Sequence, residues 1–184
     1  MILSIHQPNF IPWKPFFDKI QQSDIFVLLT KCQFEKNGFQ NRFSYQDKWY
    51  TMPIFYGLDV LEQKRYKDCR ESYEAIKRKL PKHTSTLERF DQFISDSLIE
   101  TNTQIITQIC KEKSITTKLC VDFDTEKKST DRLIEICKHF NADTYLSGPS
   151  GKNYMDLKRF EEEGIRVIFQ ETKNEDKVPY LEWV

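Results

Sequence analysis

Two short apolar runs separated by one amphipathic segment open the chain, and that pattern admits few architectures. Ile2 to Ile5 ends in His6, Gln7 and Pro8, as a buried strand feeding a loop would. Pro12 then introduces residues 13–22, where Trp13, Phe16, Phe17 and Ile20 recur at helical spacing. Proline's fixed φ and missing donor cost little at a helix start. Asp24 leads into Ile25 to Leu29, five consecutive apolar residues, the mark of a parallel strand buried on both faces. Strand, helix and strand within about thirty residues make one βαβ unit, whose crossover is right-handed.

The remainder extends that unit. From Cys32 to Tyr56 the pattern predicts a hairpin or long loop, with Gly38 at a turn and a strand over Tyr50 to Phe55. Residues 57–115 read as a largely helical insertion, with helices over 69–80, Leu87 to Ile99 and Asn102 to Lys113. Alternating elements follow: a strand at Leu119 to Phe123, a helix at Thr130 to Phe140 and a strand at Thr144 to Leu146. A helix at Tyr154 to Glu163, stopped by Gly164, and a strand at Ile165 to Phe169 complete them. The fold expected over 1–184 is a single α/β domain, Rossmann-like. Its mostly parallel sheet of about five strands has helices on both faces and carries the helical insertion.

Composition narrows the function classes. With 28 basic and 28 acidic residues, the chain lacks the basic excess on which general nucleic-acid and membrane-surface binders rely, so nucleic acid is an unexpected partner. The five cysteines are scattered without Cys-x-x-Cys spacing, which fits reduced thiols and a cytoplasmic location. The N-terminal run has no basic region before it and no long apolar core, unlike a signal peptide, and no apolar run approaches the ~18 residues that span a bilayer. No metal-ligand spacing occurs: His83 and His139 are isolated, and Asp122 and Asp124 alone do not make a site. The sequence requires no cofactor.

Two segments carry the chemistry. In open α/β sheets ligands bind beyond the carboxyl ends of the strands, where strand order reverses. His6 leaves the first strand there as a candidate general base, phosphate donor or metal ligand, and Gln7 and Asn9 add donors and acceptors; a turn held by the same side chains is the competing reading. Ser147-Gly148-Pro149-Ser150-Gly151-Lys152-Asn153-Tyr154 joins a strand to a helix and offers amides, hydroxyls and a cation for an anion. It is no Walker A loop, and a tight turn with Ser150 or Asn153 as helix cap is the alternative. Gln33, Lys36, Asn41 and Arg42 follow the second strand, where Lys36 and Arg42 could hold phosphate or carboxylate. Trp49 and Phe39 could stack on a flat or sugar ring, although either ring alone more often packs a core.

Ile5-His6-Gln7-Pro8-Asn9-Phe10-Ile11-Pro12-Trp13 with Phe17-Asp18-Lys19-Ile20 resembles the signature of the WbqC-like proteins. Gln33-Phe34 with Lys36 and Asn41-Arg42, Trp49 through Pro53, and Tyr145 through Gly151 with Tyr154 extend the resemblance in order over residues 1–170. The resemblance implies a place in bacterial surface-polysaccharide (O-antigen type) biosynthesis and transfer of an acyl or aminoacyl group to a nucleotide-linked amino sugar. Thr30 stands where relatives tend to carry Asp, and the chain stops at Val184, before their Ser-Ile-Ile-Asp-like segment. A remoter likeness is to the nucleotidyltransferase superfamily, but the second histidine of its His-x-Gly-His motif is missing. Three readings therefore stand at the sequence level: the transferase with a nucleotide or nucleotide sugar as ligand, an ATP-using adenylate-forming or nucleotidyl-transfer enzyme, and a non-catalytic nucleotide- or sugar-binding module.

Overall fold

The structure, a computed structural model, describes residues 1–57, 60–172 and 179–183; residues 58–59 of the expected insertion lie outside them. Five strands, β1 (Ile2–His6), β2 (Ile25–Leu28), β5 (Lys118–Val121), β6 (Thr144–Ser147) and β7 (Arg166–Phe169), form one sheet in the order β5-β2-β1-β6-β7, every neighbouring pair parallel. The chain steps outward from β1 through β2 to β5, then returns past β1 to place β6 on its other side. Strand order therefore reverses between β1 and β6.

Side-chain alternation divides the core in two. Leu3, Ile5, Ile25 and Val27 point to one face and pack with Ile134, Ile136 and Cys137 of α5 (Ser129–His139) and Phe160 of α6 (Leu157–Glu162). Phe26 and Leu28 point to the other face. They join Phe16, Phe17 and Ile20 of α1 (Lys14–Gln21) and Ile105, Ile106 and Ile109 of α4 (Leu98–Glu112). This second cluster continues into α2 (Cys69–Lys79), α3 (Thr84–Glu88) and the hairpin of β3 (Arg42–Tyr45) and β4 (Lys48–Thr51). Gln46 and Asp47 close the hairpin with φ of 48° and 58°, the paired positive values of a two-residue turn matched to strand twist. No helix among the described residues is long and apolar enough to cross a membrane.

Four local expectations change. The strand expected over Tyr50 to Phe55 is β4, Lys48–Thr51, because the hairpin turn at Gln46 and Asp47 sets where pairing with β3 begins. The first helix takes Trp13 as N-cap and Pro15 in its first turn, so Pro12 lies ahead of the helix. Leu87 to Ile99 is not one helix: α3 ends at Glu88, a 3-10 turn covers Asp91–Phe93, and Ile94 is extended before Ser97 caps α4. The last helix begins at Leu157 behind its cap Asp156, not at Tyr154. Its end is as expected: Gly164 has φ 69°, and the Gly164 and Ile165 amides donate to Glu161 and Phe160 carbonyls in a Schellman closure.

Candidate functional site at the reversal of strand order

His6 ends β1, and Ser147 ends β6 beside it, Ser4 lying opposite Leu146 in the register. The His-Gln-Pro turn and the Ser147–Tyr154 loop thus leave the same edge of the sheet from adjacent strands. Alternation turns His6 away from the Leu3/Ile5 face and toward α1, where its ring meets the Phe16 ring edge-on with centroids 5.0 Å apart. His6 Nδ1 lies 2.8 Å from the Gln7 carbonyl oxygen. A carbonyl only accepts, so the proton sits on Nδ1 and Nε2 carries the lone pair. No residue among those described hydrogen-bonds Nε2.

Lys19 shares this face. It is 3% exposed, and its ammonium donates to the Ile5 carbonyl at 2.9 Å with no carboxylate partner among the described residues. Burial pushes Lys19 down to about 7. Burial first, then the Lys19 charge, pushes His6 down to about 4 against a smaller upward pull from its bond to Gln7. The imidazole is therefore neutral at physiological pH, beside a lysine poised near its midpoint.

A buried polar network fixes the turn around these groups. Gln7 Nε2 donates to Cys32 Sγ at 3.3 Å, and Gln40 Nε2 donates to Gln7 Oε1. Asn102 Nδ2 donates to the carbonyls of Pro8 and Gln40 at 2.9 and 2.7 Å, and Asn102 Oδ1 accepts from the Tyr66 hydroxyl at 2.9 Å. The segment after β2 is thereby tied to the His-Gln-Pro turn. Within it Gln33 and Lys36 are exposed, while Asn41 is buried, donating to the Met52 carbonyl at 2.8 Å. Arg42 donates to the carbonyls of Gly38 and Asn37, and its guanidinium carbon lies 4.0 Å from the Trp49 ring centroid. Asn9 is buried and lines a cavity described below.

The serine-glycine loop is a 3-10 turn over Pro149–Asn153, separated from α6 by Tyr154–Asp156, so the amides of that helix do not belong to the loop. Ser147 is buried and donates to the Gly148 carbonyl at 3.1 Å. Gly151 is buried on top of it: a Cβ there would lie 2.1 Å from Ser147 Oγ. Ser150, Lys152, Asn153 and Tyr154 are exposed, with the Lys152 ammonium 4.9 Å from the Phe169 ring centroid.

Lys19, Gln40 and Asn102 escaped sequence reasoning. So did a second polar centre, at the ends of β2 and β5. There Asp122 Oδ1 accepts from the Thr30 amide at 2.7 Å and its hydroxyl at 2.8 Å, and Arg132 donates to Oδ2 and to the Lys31 carbonyl. Asp122 is thus committed to holding strand ends together. No group of three or more His, Cys, Asp or Glu that could hold a metal ion occurs among the described residues.

Comparison with known proteins adds one family. Residues 7–181 match the model of the WbqC-like protein family. An uncharacterized Mycobacterium tuberculosis protein, Rv1507c, is 28% identical over 91% of this chain and 80% of its own length. Among solved structures, a zinc-bound AdcAII variant of Streptococcus pneumoniae aligns over 98% of this chain and 93% of its own, at 11% identity and a TM-score of 0.25, too low to carry any argument.

Proposed function

The chain belongs to the WbqC-like protein family, and from that premise we propose that it transfers an acyl or aminoacyl group onto the amine of a nucleotide-linked amino sugar in bacterial polysaccharide biosynthesis. The amine nitrogen bonds to the acyl carbon, the bond from that carbon to the donor's leaving group breaks with its electron pair, and the nitrogen's proton passes to His6 Nε2. The Gly148 and Ser150 amides are the loop's donors for the developing oxyanion, since Pro149 has none and the Gly151 amide donates to the Gly148 carbonyl. Lys36 and Lys152, both exposed, are the cations for the diphosphate.

The observation that carries this reading is an imidazole with a fixed tautomer and an open Nε2 at the point where strand order reverses. An imidazole held at about 4 is a weak base toward an ammonium. A bound diphosphate would offset the Lys19 charge, the smaller of the two causes that lower the imidazole, and so raise it in part while burial continues to hold it down. In a thermal-shift screen, nucleotide-linked amino sugars should stabilise the protein. His6→Ala should abolish transfer and keep that stabilisation; full activity in this variant refutes the assigned base.

A further inference from the structure

A cavity of about 530 Å³ opens among the residues that follow the His-Gln-Pro turn, the β3–β4 hairpin and Pro179 and Glu182. Its size falls within the range of small-molecule sites, about 300–1,000 Å³. Trp13, Phe39 and Trp49 line it while remaining 36%, 44% and 48% exposed, an arrangement that core packing does not explain. The Trp13 and Phe39 planes lie within 7° of parallel, and the Phe39 and Trp49 centroids are 5.4 Å apart. Arg42 braces Trp49 at 4.0 Å and is itself tied to two carbonyls of the preceding loop, so the aromatic surface is set before any ligand arrives.

The polar lining identifies the ligand. Asn9 is 5% exposed, lines the cavity and makes no side-chain hydrogen bond among the described residues. Asp47 and Glu182 add two carboxylates, and no lysine or arginine lies in the lining among the described residues. Such a surface repels a phosphate and suits a cation. Aromatic faces attract both ammonium groups and the C–H faces of a saturated ring. The amide supplies a hydroxyl partner.

We propose that this cavity captures the amino sugar in its ammonium form before transfer, its ring on the aromatic surface and its ammonium toward Asp47 and Glu182, with the nucleotide lying outside; the amine meets His6, which is not in the lining, only after leaving these carboxylates. The choice of an amino sugar among cationic ligands rests on the transferase reading above; the cavity's preference for a cation does not.

Saturation-transfer NMR on the full chain tests this, with glucosamine, galactosamine and mannosamine as probes, and glucose and choline as controls. At least one hexosamine should receive saturation at its ring protons, at least five-fold more than glucose. Trp49→Ala, Phe39→Ala and Asp47→Asn should each cut that signal at least five-fold, whereas His6→Ala should leave it unchanged. All three altered side chains are exposed, and asparagine tolerates the positive φ at position 47, so the variants should melt with the wild type. Silence from every hexosamine, a signal indifferent to Trp49 and Phe39, or binding of choline without any hexosamine would overturn the proposal. Hexosamine binding without transfer would sink the transferase reading and leave the seat standing. Transfer with an unchanged KM for the acceptor in Trp49→Ala and Phe39→Ala would do the reverse.

Discussion

Lys19 and His6 each resist protonation in the folded chain, and the consequence is measurable. Between pH 4 and 6.5 an unfolded chain binds a proton at His6 that the folded chain refuses, so stability climbs with pH across that window and is lost as pH falls. Lys19, lowered from 10.5 to about 7, produces a second climb between those values. The slope from one proton is at most about 1.4 kcal/mol per pH unit. Lys19→Met should remove the alkaline climb and move the His6 titration upward from about 4. Urea denaturation at pH 7, 8 and 9 should show the variant's advantage over wild type shrinking as pH rises; parallel curves would disprove the buried, depressed lysine. His6 was legible in the sequence because it interrupts an apolar strand. Lys19 hid in a charged stretch, although its spacing from Phe16 puts it on the same helical stripe. A lysine at a core position of an amphipathic pattern is the signal that would have found it.

At the scale of elements, the loop after β6 is built around a close approach. A Cβ at position 151 would meet Ser147 Oγ at 2.1 Å and Met155 Cε at 2.8 Å. The methionine can swing aside, but the serine is buried. Gly151→Ala should therefore cost about 1–3 kcal/mol, as overpacking does. Ser147→Ala in the same chain should return more than half of it; chemical denaturation of the single and double variants measures both, and additive losses would show that the contact is not the cause. The elements themselves differ in how clearly they read. β1, α1 and β2 announce themselves through two periods in thirty residues. Leu87, Phe90, Ile94 and Leu98 have helical spacing and are all buried, yet the backbone between them breaks. The break was written at Ser97, which stands three residues before Glu100: its hydroxyl accepts from the Glu100 amide and starts a new helix. Burial followed the hydrophobic pattern, whereas the element boundary followed the cap. The loop before α6 misled for the same reason, since Asp156 rather than Ser150 or Asn153 caps that helix.

For the molecule as a whole, the candidate site exists because strands far apart in sequence are held at one edge. A mostly parallel sheet of about five strands was legible from the alternating elements, but its strand order was not, and no period or motif announces which polar groups lock the edge. Asp122 performs that role for β5, linking to Thr30 across 92 residues and to Arg132 of α5. Its carboxylate is fully buried, and it neutralises an arginine that is itself only 13% exposed. Removing one member of a buried pair strands the other charge, a loss of about 3–5 kcal/mol. Asp122→Ala should show that loss in urea denaturation. It should also release the amides of Thr30 and Lys31, which follow β2, raising their hydrogen exchange well above that of Val27 within β2. Asp122→Ala with Arg132→Leu should recover a substantial part of the stability, because no buried charge is left unpaired, while the exchange at Thr30 stays fast. If the single variant keeps wild-type stability, the carboxylate is not the tie between β2, β5 and α5. If the double variant falls further than the single, Arg132 holds the edge without its partner.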